Sequence, residues 1–201
     1  MNHGITLIVG PEPELESAFK ALEEALRTAC SSVGGLCEYR GVDERSEETH
    51  YVFGDALDNN WKATLAVSSF LPGMYIAIDA KSLTTVQDIE RNVRRSLPVV
   101  TEDELLTDAS RGTPESLRRL GLGSSPHREV AETATVLEAA LISGSAEERG
   151  AATFAMFVLY WGRFAEPLRS ALSKEEDPAV ARTMEAALLR VENEGSLPGV
   201  S

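Results

Sequence analysis

A self-similar segment near the C-terminus constrains the fold of this chain more than any other feature. When the sequence is compared with itself at an offset of 32 residues, the segment 145–149 aligns with 177–181. An apolar stretch with the three-and-four spacing of an amphipathic helix precedes each of these segments. A fixed offset of this kind indicates duplicated structural units. We therefore predict two antiparallel helical hairpins over residues 128–192, with no strand between them.

The second unit carries the more specific series of residues: Glu166-Pro167-Leu168, Leu172, Asp177-Pro178-Ala179-Val180 and Ala186-Ala187-Leu188. This series resembles the helix–turn–helix unit of HEAT repeats. Asp177 can cap the second helix of the unit, while Pro178 fills the first turn, where its missing amide hydrogen costs little. The arginine that the family places after the turn is matched by Arg149 in the first unit, whereas the second unit has Ala181 there and Arg182 one place later. The resemblance implies two degenerate repeats that bind another macromolecule.

The first hundred residues show shorter segments with a different pattern. An apolar run over residues 5–9 predicts a strand, and the next segment carries the apolar stripe of a helix from Leu15 to Ala29. Four extended segments follow, and then a helix that is predicted to begin at Thr85 and to end before Pro98. This order predicts an α+β fold, in which an N-terminal, mostly antiparallel sheet with helices on one face is followed by a C-terminal HEAT-like pair of α-hairpins.

The same patterns divide the chain into parts. Helix-start signals at Thr101 with Glu104, and at Thr113 with Pro114, predict two short bridging helices. Because stacked repeats usually need about three units for stability, we expect these bridging helices and the sheet to cap the pair. The predicted parts are an α+β domain at 1–100, bridging helices and a linker at 101–125, the HEAT-like helical repeat at 126–193 and a flexible tail at 194–201.

The charge of the chain disfavours some partners. The sequence has 32 acidic and 19 basic residues, for a formal net charge of -13. Such a chain repels phosphate backbones and anionic membranes and attracts basic proteins. The densest acidic cluster includes Asp43, Glu44, Glu47 and Glu48. Charge runs of this kind are typical of a solvated loop, and a docking surface for a basic partner is the alternative interpretation.

Few residues have the spacing of a chemical site. Cys30 and Cys37 have no histidine pair at metal-ligand spacing, so they are predicted to be free thiols rather than a zinc site or a disulfide framework. The three histidines show neither a catalytic-triad order nor the His-x-x-x-His spacing of a metal site, so we expect no metal and no cofactor. The N-terminus lacks a signal-peptide pattern, and no run approaches the about 20 apolar residues of a spanning helix. These features predict a cytoplasmic protein.

The segment between the two repeats is unusually apolar for a helix in a solvated stack. It runs from Phe154 to Trp161. Helices that are apolar on all sides are normally buried, so we expect neighbouring elements to cover this one. The alternative for Trp161 is a partly exposed anchor at the turn.

These observations favour a non-catalytic protein-binding module. A sharper hypothesis is an acidic immunity protein of the antitoxin type, which occludes a basic effector. The alternatives are a structural or regulatory adaptor, and an enzyme with an unrecognised site. The expected partner is another protein of basic character, with no nucleic acid and no membrane, and the oligomeric state stays open. The candidate partner-binding residues are Asp43, Glu44, Glu47, Glu48, Arg149, Trp161, Arg163 and Arg182.

Overall fold

The computed structural model describes residues 3–11, 13–33, 35–69 and 73–195. The chain divides into two compact units, residues 1–100 and residues 101–201. An N-terminal antiparallel sheet with two helices is followed by a unit whose described elements are all helices, so the predicted α+β class is confirmed. The predicted flexible tail lies outside the described residues from position 196 onward.

The first unit, in the residues that the structure describes, contains five strands and two helices. Their bounds are β1 (His3–Ile8), α1 (Leu15–Val33), β2 (Cys37–Glu44), β3 (Glu48–Asp55), β4 (Trp61–Ser68), β5 (Met74–Ala80) and α2 (Leu83–Ser96). The strands form one antiparallel sheet in the order β1-β5-β4-β3-β2, which leaves β1 and β2 at its edges.

Both helices of this unit pack on one face of the sheet. Alternate strand residues such as Phe53, Leu65 and Ile76 share a core with Leu22 of α1 and Ile89 of α2. Side chains at alternate positions of a strand point to the same face, so this shared core places the two helices together. The helix start predicted at Thr85 is wrong: α2 begins two residues earlier, after Ser82, whose carbonyl accepts the amide of Val86 at 3.2 Å.

The second unit contains six α-helices in its described part. They are α3 (Glu102–Ala109), α4 (Pro114–Gly123), α5 (Ala131–Ser143), α6 (Ala146–Leu159), α7 (Ala165–Leu172) and α8 (Pro178–Glu194), with a short 3-10 turn at Gly162–Phe164 before α7. The predicted caps are present. Thr101 and Glu104 form a capping box, and Thr113 accepts the amide of Ser116. The Asp177 carboxylate accepts the amides of Ala179 and Val180 at 2.8 and 3.2 Å.

The helices of the second unit pack as three successive pairs in two layers. Each odd-numbered helix contacts the helix that follows it, the layer α4–α6–α8 is continuous, and α5 contacts both α3 and α7 in the other layer. The segment expected to be a bridge is therefore a third pair of the same unit. The reason is the close fit of α4 against α6: a Cβ added to Gly121 would lie 2.5 Å from Cα and Cβ of Ala155. A glycine permits this approach of two helix backbones.

Candidate protein-binding surfaces

Three of the predicted acidic residues lie on the hairpin that joins β2 to β3. Asp43 and Glu44 end β2, and Glu47 lies in the turn, which the amide of Arg45 closes by donating to the carbonyl of Glu48 at 2.8 Å. All three acidic side chains are exposed, and Asp43 pairs with Arg45 at 3.0 Å. The structure thus places them on a solvated turn.

Glu48, the fourth predicted acidic residue, belongs to a different environment. Its carboxylate accepts hydrogen bonds from His50 Nε2 at 2.7 Å and from the hydroxyl of Tyr75 at 3.0 Å. Burial alone would raise the pKa of Glu48, but hydrogen bonds from His50, Tyr75 and Ser68 outweigh it and hold the pKa below its ordinary value. Burial, and then the Glu48 charge, raise the pKa of Tyr75. Glu48 therefore stabilises the sheet, and the expectation that all four acids form one loop surface is wrong.

A groove of about 570 Å³ lies between α5 and α7 in the second unit. Its apolar lining includes Leu141, Ile142, Pro167 and Ala171. The Ile142 side chain is 76% exposed, which is high for a large aliphatic residue on a helix. Its charged lining consists of Glu138, Glu166, Glu175, Glu176, Arg149 and Lys174.

The Arg149–Glu175 pair forms one wall of this groove. Two nitrogens of the Arg149 guanidinium donate to the two carboxylate oxygens of Glu175, both at 2.6 Å, and a third donates to the carbonyl of Gly144 at 3.0 Å. The Glu175 side chain is 1% exposed, and it also accepts the amides of Glu176 and Asp177. The hydrogen bonds from Arg149 lower the pKa of Glu175 from 4.5 to about 2. Arg149 therefore ties the start of α6 to the turn before α8.

The two other predicted arginines are exposed and lie in separate places. Arg163 contacts Glu138 at 3.2 Å and thus approaches the groove from the turn before α7. Arg182 lies on α8, where its Nε donates to the carbonyl of Pro178 at 3.1 Å. It borders a second, mostly apolar groove of about 450 Å³ between α6 and α8, with Phe154 and Phe157 on the facing wall.

Trp161 lies inside the second unit. Its side chain is 1% exposed, its ring stacks on Phe164 with centroids 5.4 Å apart, and its indole nitrogen donates to the carbonyl of Ser125 at 3.2 Å. The turn that buries it passes through Tyr160, which is left-handed with φ 39°. The interpretation of Trp161 as a partly exposed anchor is wrong, because the chain reverses after α6 and folds the ring inward.

The groove between α5 and α7 brings together residues that sequence reasoning missed. Ile142, Glu138 and Glu166 were not predicted as site residues, since apolar and acidic positions on a helix are usually core and solvated face. The sequence contains one indication, which is that two large aliphatic residues, Leu141 and Ile142, are adjacent near the end of one helix. Only the position of α7 shows that the exposed residue lines a concave surface.

The described part of the chain also allows two general statements. None of its helices has the length and apolar character needed to span a bilayer. Among the same residues, no three His, Cys, Asp or Glu side chains are grouped as a metal site requires. Protein-family models give no match to this sequence, and neither the curated proteins nor the solved structures contain a significant match.

Proposed function

We propose that the chain is a non-catalytic protein-binding module. In this proposal, the groove between α5 and α7 binds a basic segment of a partner protein, and that segment carries an aliphatic side chain as its anchor. The observation that supports this proposal is the exposed Ile142 within a concave surface surrounded by carboxylates. An exposed apolar residue in a groove with a polar rim is the usual anatomy of a protein-binding site.

Charge complementarity selects the kind of partner. Four glutamates and two basic residues line the groove, which gives the lining a formal net charge of -2. The charges of the buried pair Arg149 and Glu175 cancel. The sign of the electrostatic field in the groove therefore depends on the outer residues, where Glu138, Glu166 and Glu176 outnumber Lys174. The first two contact Arg163 and Arg169 in exposed pairs, which are worth little and can be shared with a partner's cations.

The apolar part of the groove supplies the binding free energy. Covering an isoleucine side chain that is otherwise exposed contributes about 1.5–3 kcal/mol. The exposed acids of the β2–β3 hairpin add to the negative field of the chain, and thereby to the rate of encounter with a basic protein.

An acidic immunity protein of the antitoxin type is the specific form of this function that the net charge of -13 supports. In that form the partner is a basic effector, and the complex has no effector activity. A structural or regulatory adaptor is the second form, favoured by the presence of one acidic surface in each unit. The activity of a co-purifying basic protein, measured with and without this chain, separates the two forms.

A defined peptide tests the groove directly. The probe is a helical peptide of lysine and leucine in an amphipathic pattern, and its control replaces every leucine by serine at equal charge. We expect the leucine peptide to bind more tightly at physiological salt. Ile142→Ser should weaken its binding about tenfold or more, by loss of the anchor contact. Leu189→Ser is the matched control, since Leu189 is 62% exposed on α8 and does not line the groove.

A second pair of variants tests the charge. Glu176→Lys changes an exposed acid of the groove, and Glu185→Lys makes the same change to an exposed acid on α8. We expect the Glu176 variant to lose more affinity for the lysine–leucine peptide than the Glu185 variant. Equal losses in both variants, together with wild-type affinity in Ile142→Ser, would mean that only the net charge of the chain attracts the peptide, and the proposal would fail.

A further inference from the structure

Two cysteines meet where the C-terminal part of α1 approaches the start of β2. Cys30 is 2% exposed in the core of the first unit, whereas Cys37 is half-buried at the edge strand. The amide of Gly35 donates to the carbonyl of Cys30 at 3.0 Å and turns the chain back. The Cys37 side chain packs against the core cluster to which Cys30 belongs, and the two thiols interact through a hydrogen bond. Both are free thiols in this structure.

The surroundings make the two thiols chemically unequal. The hydrogen bond from Cys30 lowers the pKa of Cys37 below its ordinary value, and the nearby Arg27 guanidinium acts in the same direction. That same hydrogen bond, followed by burial, raises the pKa of Cys30. The thiolate is the reactive form of cysteine, so the more accessible Cys37 is the residue that reacts first. Cys30 then lies within reach as the second sulfur.

We propose that Cys37 and Cys30 form a dithiol site that a low-molecular-weight disulfide, such as oxidised glutathione, converts reversibly into an intramolecular disulfide. The Cys37 thiolate attacks one sulfur of oxidised glutathione and releases one glutathione thiolate, which takes up a proton. Cys30 then gives up its proton to solvent, and its sulfur attacks the Cys37 sulfur of the mixed disulfide and releases the second glutathione. Two protein thiols are oxidised and one glutathione disulfide is reduced to two thiols.

The new bond would link α1 to the edge strand β2 across six intervening residues. Closing this loop restricts the unfolded chain, so the oxidised protein should melt at a higher temperature than the reduced protein. The site lies in the first unit, and it does not depend on the function proposed for the groove.

The test exposes the full-length chain to oxidised glutathione under native conditions, blocks the remaining thiols with an alkylating agent and measures the intact mass. Wild-type protein should lose two hydrogens, take up no alkyl group and carry no glutathione. Cys30→Ala should stop at one glutathione adduct on Cys37, because the second sulfur is missing. Cys37→Ala should form no adduct unless it is unfolded in urea, because Cys30 is buried.

Excess reduced thiol should return the wild-type mass to that of the starting protein. Wild-type chain that accumulates glutathione on Cys37, or that joins to a second chain through a disulfide, would overturn the proposal. So would wild-type chain whose two thiols remain unreacted under conditions that modify Cys30→Ala. If the alanine variants do not show the wild-type circular dichroism spectrum, the serine variants replace them, and the wild-type mass still decides between the outcomes.

Discussion

The two units of this protein carry acidic side chains in opposite settings. In the first unit, Asp43, Glu44 and Glu47 are exposed to solvent on a hairpin turn. In the second unit, glutamates surround a groove that contains the exposed Ile142. The difference shows that a run of charged residues in the sequence indicates a solvated surface. Carboxylates next to an exposed aliphatic residue instead indicate a surface that can bind a partner.

The largest expected effect concerns the walls of that groove. Leu168 is fully buried on α7, so Leu168→Ala should reduce the free energy of unfolding by about 2–5 kcal/mol. The same truncation at Leu189, which is 62% exposed, should change it by about 0.5 kcal/mol or less. Urea unfolding followed by circular dichroism measures both. Equal stabilities for the two variants would contradict the packing of α7 in the helical unit.

The buried ion pair comes next. Glu175→Gln leaves the Arg149 guanidinium without its countercharge and should cost about 3 kcal/mol, at the low end for a buried pair because the Arg149 side chain is 25% exposed. Glu166→Gln, in an exposed pair, should cost about 1 kcal/mol or less. Urea unfolding of each variant beside the wild type provides the comparison.

Acid should remove the same contribution in the wild type. The folded-state pKa of Glu175 lies below its ordinary value of 4.5, at about 2, so the ionised carboxylate stabilises the fold above pH 4.5. This stabilisation should be lost as the pH falls from about 4.5 to about 2. The stability difference between wild type and Glu175→Gln should therefore shrink across this window, and a difference that stays constant would exclude the pair as its source.

Two glycines test the layer of α4, α6 and α8. Gly121→Ala should cost about 1–3 kcal/mol, because its new Cβ would overlap Ala155 at 2.5 Å. Gly150→Ala should instead stabilise the protein by about 0.5–1 kcal/mol, because its Cβ would meet Val180 at an ordinary 3.8 Å and alanine favours the helix. Thermal melting of both variants shows whether the signs differ as expected. A Gly121 variant that is stabilised to the same extent as the Gly150 variant would contradict the close crossing of α4 and α6.

The smallest expected change concerns the hairpin. Replacing Asp43, Glu44 and Glu47 by lysine should alter the free energy of unfolding by about 0.5 kcal/mol or less per residue, since all three are exposed. Glu48→Lys should cost clearly more, because it removes the acceptor of His50 and Tyr75. A Glu48 variant as stable as the triple variant would mean that Glu48 is solvated like the other three acids and does not stabilise the sheet.

Local features of this fold could be predicted from the sequence. The caps at Thr101, Thr113 and Asp177 follow from side chains that accept amides within three residues, so they need no tertiary information. The alternation of apolar and polar residues over 61–68 is equally local, and it predicts a strand with one covered and one solvated face. The strand is present as β4, but the solvated face is wrong, because Thr64, Ala66 and Ser68 are buried as well. The third helical pair was missed because α3 and α4 carry no repeat of the later segments. Their place in the unit depends on a contact between residues 121 and 155.

The candidate site was less predictable for the same reason. Arg149 was predicted as a partner-binding residue from the repeat pattern, but that pattern could not show its pairing with Glu175, which lies in a later turn. Tryptophan is a residue type that is common at binding anchors, but the Trp161 side chain is buried because the chain reverses at the left-handed Tyr160. The groove itself is a property of the distance between α5 and α7, which no spacing within either helix encodes.

The most direct test of the central claim is amide hydrogen exchange of the full-length chain, measured with and without the lysine–leucine peptide at physiological salt. If the groove holds the peptide, exchange should slow in α5 and α7, and the β2–β3 hairpin should exchange at its unbound rate. The same protection should appear in the triple lysine variant of Asp43, Glu44 and Glu47. Protection confined to residues 43–50, with α5 and α7 unchanged, would contradict the account and move the binding surface to the sheet unit.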